Sequence, residues 1–123
     1  MINHDDIKDF IEAVLEPLGP SFSEVLCRLL KDKLGEDPSK TLLERPESLY
    51  KALKEVLGGE NRVKMLLEMA VSSARVKYGL KIDADNMLNA LKEGRKGLVI
   101  SIVQDAAETV KRIEKLGHFR LKS

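Results

Sequence analysis

The chain has 123 residues, 43% of them apolar and 33% charged, with 21 basic and 20 acidic side chains and a formal net charge of +1. That length is enough for one domain with its own core, and the apolar content excludes an intrinsically disordered chain. The single cysteine, Cys27, excludes an internal disulfide, and the near balance of charge points to no particular partner.

The helix signals are read in chain order. Ile7, Phe10, Ile11, Val14, Leu15 and Leu18 follow a helical repeat. Asn3 is placed to cap this segment, Asp5, Asp6 and Asp9 suit the positive end of its dipole, and Pro17, Gly19 and Pro20 end it. Ser21 with Glu24 three residues on has the form of a capping box for a second helix. Its stripe is Phe22, Val25, Leu26, Leu29, Leu30 and Leu34, and Gly35 is its stop. Asp37-Pro38 predicts a cap and first position for a short helix to Glu44, burying Leu42 and Leu43. Pro46 opens another, with Leu49, Tyr50, Leu53, Val56 and Leu57 inward and Gly58-Gly59 at its end.

Residues 60–78 carry apolar side chains around much of a helical circumference, among them Met65, Leu66, Met69, Val71 and Val76. The pattern predicts a central helix buried on most sides. Ala70, Ser72, Ser73 and Ala74 are small enough for close helix contact, and Gly79 is the stop. Leu80-Lys81-Ile82 reads as an extended link, and Asp83 as the cap of a short helix holding Met87, Leu88 and Leu91 and ending at Gly94. The last helix is expected from about Gly97 to Leu116. Its opening residues are strand-like, yet Val99, Val103, Ala106, Val110 and Ile113 are spaced four, three, four and three apart, which is helical. Residues 117–123 are expected to form a short mobile tail. No strand pair, repeat or linker is visible, so the expected fold class is all-α: one compact bundle of five to seven short-to-medium helices around one central apolar helix.

Charge is uneven along the chain. Residues 1–60 hold 8 basic and 13 acidic side chains, a net of −5, whereas residues 61–123 hold 13 and 7, a net of +6. Such asymmetry steers an anionic partner to the second half, or draws the two halves together within one chain or between two copies. The acidic N-terminus lacks the apolar stretch of a signal peptide, and the run Leu98-Val99-Ile100 is far too short to cross a bilayer. A cytoplasmic location is expected. One glutamine, no tryptophan and many Lys and Glu give the composition a thermophilic cast.

The most distinctive local feature is Gly94-Arg95-Lys96-Gly97 between two predicted helices. Glycines allow close backbone approach, a helix start favours anions, and Arg95 and Lys96 add charge. With Ile100 and Val103 at apolar positions beyond it, the turn resembles the Gly-x-x-Gly loop of KH nucleic-acid-binding domains. The resemblance implies a grip on a sugar-phosphate backbone. Glu93 stands where that motif has an apolar residue, and the strands of a KH fold are not visible. The alternative reading is an ordinary turn with Gly94 as a helix stop. A helix-turn-helix reading of residues 86–105 meets Asn89 and Glu93 where packing needs apolar groups, and Leu98, Val99 and Ile100 where base edges are read.

Lys111, Arg112, Lys115, Arg120 and Lys122 form a second basic group, suited to phosphates or to the negative end of a helix dipole. His4 and His118 stand at opposite ends of the chain, too few for a histidine metal centre. Asp83-x-Asp85 opens like a calcium loop, but Met87 and Leu88 occupy later ligand positions. Helix capping accounts better for both acidic groups. No nucleophile triad, Walker loop, dinucleotide fingerprint or zinc spacing is present, and Cys27 reads as a packing residue.

The sequence therefore leads to a non-enzymatic helical interaction module that associates with itself, with no cofactor and no metal. Val99, Val103, Ala106, Val110 and Ile113 are the expected seam. Two alternatives stand beside it. One is nucleic-acid binding through Gly94, Arg95, Lys96, Gly97, Lys111, Arg112 and Lys115. The other is a sensor holding a small apolar ligand near Met65, Met69 and Met87.

Overall fold

The computed structural model describes the backbone of residues 4–122 and the side chains of residues 5–116. Among them are seven α-helices and no strand: α1 (His4–Leu15), α2 (Pro20–Leu34), α3 (Pro38–Glu44), α4 (Pro46–Leu57), α5 (Glu60–Tyr78), α6 (Ala84–Lys92) and α7 (Lys96–Lys122). A 3₁₀ turn, Glu16–Leu18, links α1 to α2. Asn3, expected as the first cap, lies outside the described residues, and α7 runs to Lys122, past the expected end at Leu116. No helix among the described residues is long and apolar enough to cross a membrane.

Local chemistry accounts for the boundaries. Asp37 accepts a hydrogen bond from the Ser39 amide at 2.9 Å and caps α3, and Asp83 accepts from the amides of Asp85 (2.8 Å) and Asn86 (3.2 Å) to cap α6. The start of α2 differs from expectation. Its cap is Gly19, with no side-chain cap bond, and Pro20 is the first helical residue. Proline supplies a helical φ and has no amide to satisfy, so the helix begins one residue before the capping box at Ser21 could form.

The core joins Ile7, Leu30, Leu53, Val63, Leu91 and Val99 with their neighbours. Helix α4 packs against α2, α3, α5 and α6 and buries Leu49, Tyr50, Ala52 and Leu53. Helix α5 buries only Val63, Leu66, Val71 and Ala74, and leaves Met65, Met69 and Val76 60%, 51% and 83% exposed. The expectation that residues 60–78 are buried on most sides is not met. Apolar residues surround this helix, but its neighbours α1, α4, α6 and α7 cover one side of it. In α2 likewise, Leu26 and Leu30 are buried while Phe22, Val25 and Leu29 face outward.

Candidate functional site

Three places carry the groups singled out by sequence. The first is the turn at Gly94. Its amide donates to the Leu91 carbonyl (3.1 Å) and the Arg95 amide donates to the Ala90 carbonyl (2.9 Å). Together these two bonds form a Schellman cap on α6, which needs a left-handed residue at its centre. Gly94 has φ +68°, and a Cβ there would lie 2.7 Å from Oε2 of Glu47 on α4. Arg95 Nε lies 2.8 Å from Glu93 Oε2, so the guanidinium already has a carboxylate partner. Lys96 and Gly97 are exposed in the first turn of α7, and nothing lies within 4 Å of a Cβ built on Gly97. Lys111 reaches Asp6 at 3.5 Å, while Arg112 and Lys115 are exposed further along α7. The structure does not bring the turn and these basic residues into one site; they are separated along α7 by about 22 Å between residues 96 and 111.

The second place is the stripe on α7. Val99, Val103, Ala106 and Val110 are buried in the chain's own core, and Ile113 is half-buried. Helix α7 packs there against α1, α3, α5 and α6. The expected seam is therefore covered within the chain itself.

Exposed apolar residues also lie on α5. Met65, Met69, Ser72 and Val76 are spaced four, three and four apart and are all exposed, so they form one outward line on the helix. Lys64 is paired with Asp85 (3.5 Å) and Lys77 with Glu16 (3.1 Å). Glu68 and Arg75, seven residues apart on the same edge of that line, have no ion-pair partner among the described residues. The outward residues Phe22, Val25 and Leu29 of α2 have a different border, where Arg28 is paired with Glu24 (3.5 Å) and Lys33 with Glu55 (2.6 Å).

The third place is an interior cavity of about 160 Å³ between the helices. Its wall includes Phe10, Leu53, Leu66, Ala70, Ala74 and Met87, and almost no polar atom faces it. Cys27 also lines it, and burial, reinforced by Glu12 and Asp37, pushes its thiol up. A raised thiol is a packing group and a poor nucleophile. Met87 reaches the cavity, but Met65 and Met69, expected beside it, lie on the outer face of α5.

Among the described residues no group of three or more His, Cys, Asp or Glu side chains is placed to hold a metal ion. The sequence did not point to the α5 face, and of the three methionines read as a place for an apolar ligand only Met87 lines the cavity. The face had a signal: Val63, Leu66, Ala70 and Ala74 already make one complete helical stripe, so Met65, Met69 and Val76 had to point another way. The cavity had none, because a void depends on how neighbouring helices meet. No protein-family model, no curated protein and no solved structure matches this chain.

Proposed function

We propose that the chain is a non-enzymatic helical interaction module that pairs with a second copy of itself through α5. The observation that carries this reading is the exposed line Met65–Met69–Ser72–Val76 beside two charges of opposite sign with no ion-pair partner among the described residues. Large apolar side chains in a continuous exposed line favour a protein contact, because covering them removes apolar area from water. Ser72, small and near the middle of the line, lets two helix backbones approach closely.

The charges favour an antiparallel arrangement. A two-fold axis between Met69 and Ser72 sets Met65 of one copy beside Val76 of the second copy. The same axis sets Glu68 beside Arg75 of the second copy, about 3 Å apart along the helix direction. Symmetry makes this pair twice. A parallel two-fold puts the Glu68–Arg75 edges of the two copies on opposite sides of the contact, so neither charge meets its counterpart.

Sedimentation velocity tests the reading. Wild type is expected to shift from monomer to dimer as concentration rises, and Met69→Glu is expected to stay monomeric with an unchanged far-UV spectrum. Glu68→Arg is expected to weaken pairing roughly tenfold, and Glu68→Arg/Arg75→Glu to restore it. A monomer at every concentration rejects the proposal.

A further inference from the structure

We infer that the interior cavity is a binding site for a small uncharged apolar molecule of about the size of a benzene ring, entering between α1 and α2. This inference goes beyond the pairing of α5 and does not depend on it.

The size and lining set the ligand class. A volume of about 160 Å³ matches that of apolar protein cavities known to stay dry and to bind benzene or xenon. A water molecule there lacks the two or more polar partners that would hold it. An ion is excluded because no polar group replaces its hydration. The void exists because Ala70 and Ala74 of α5 point into it, where longer side chains would fill it.

The route in is marked by shared residues. Ile11, Cys27 and Pro38 line the cavity and also the floor of an outward cleft between α1, α2 and the start of α3. The rim of that cleft carries Asp9, Glu12, Lys8, Arg28 and Lys31, so solvent reaches it while the interior stays apolar. Ile11 and Cys27 are half-buried, as expected of side chains at a boundary. The Cys27 thiol thus stands at the mouth and serves as a built-in reporter of its occupancy.

The test uses the purified full chain, titrated with benzene and followed by methyl NMR and thermal melting. Saturable shifts confined to methyls that line the cavity, among them those of Ile11, Leu53, Leu66 and Ile102, with a rise in melting temperature, are expected. Sodium benzoate, the same ring with a charge, is expected to give neither. Ala70→Leu is expected to abolish the shifts, and Met87→Ala, which enlarges the void, to tighten the binding of toluene relative to benzene. Saturating benzene is expected to slow alkylation of Cys27 by N-ethylmaleimide several-fold. The absence of saturable shifts in wild type overturns the site, as does equal binding of benzoate. An unchanged alkylation rate at saturating benzene overturns the route.

Discussion

The two glycines of Gly94-Arg95-Lys96-Gly97 are expected to respond to alanine with opposite signs. Gly94 has φ +68°, where a Cβ costs about 1–2 kcal/mol. The new Cβ would also meet Glu47 Oε2 at 2.7 Å, but this is the free end of a flexible side chain and moves at little cost. Gly94→Ala is therefore expected to destabilise by about 1–2 kcal/mol. For a chain of this length that corresponds to a fall of roughly 5 °C in melting temperature. Gly97 lies inside α7 with open space around its Cβ position, so Gly97→Ala gains from helix propensity. In the first turn the gain is about half of the full difference, roughly 0.5 kcal/mol. Urea and thermal unfolding of both variants provide the assay. A neutral Gly94→Ala refutes the left-handed turn. A loss at Gly97 as large as at Gly94 refutes the placement of Gly97 in an open helical position of α7.

Three further outcomes follow from the geometry. Asp83→Ala removes the acceptor for the Asp85 and Asn86 amides and is expected to cost about 1 kcal/mol in urea unfolding, while Asp83→Asn retains most of the cap. The Lys92 ammonium and the Tyr50 hydroxyl hold the Glu60 carboxyl below its ordinary value. A depressed carboxylate adds stability that is present above its unfolded pKa and is lost as pH falls through the folded one. Glu60→Gln is therefore expected to flatten the acid limb of the stability profile, and an unchanged limb would contradict that pairing. Arg95→Glu/Lys96→Glu is expected to leave fluorescence anisotropy with labelled single-stranded RNA unchanged even at low salt, because the turn is used as a helix cap. Binding that falls with salt and disappears in this variant would restore the nucleic-acid reading.

Much of the fold was legible because its signals are local. Asp37-Pro38, Pro46 and Asp83 fix three helix starts through caps and proline, and Gly35, Gly58, Gly79 and Gly94 fix four ends through positive φ. The four-three repeat on α7 correctly identified an apolar face. Sequence alone could not say whether that face is covered by the same chain or by another, and α1, α3, α5 and α6 cover it. On α5 the error ran the other way. Apolar residues on two sides of one helix suggested a central position, but the second side faces solvent. Periodicity reports which residues share a face, and only packing decides which faces are buried. The cavity was illegible for the same reason, since Ala70 and Ala74 make a void only through the distance at which α5 meets its neighbours.

The most direct test of the α5 account is sedimentation velocity on wild type, Glu68→Arg and the charge-swapped Glu68→Arg/Arg75→Glu chain, from micromolar to millimolar concentration. The account predicts a dimer for wild type, a weakened dimer for the single variant and recovery in the double one. A wild type that remains monomeric throughout, or a double variant no better than the single one, would contradict antiparallel pairing through this helix.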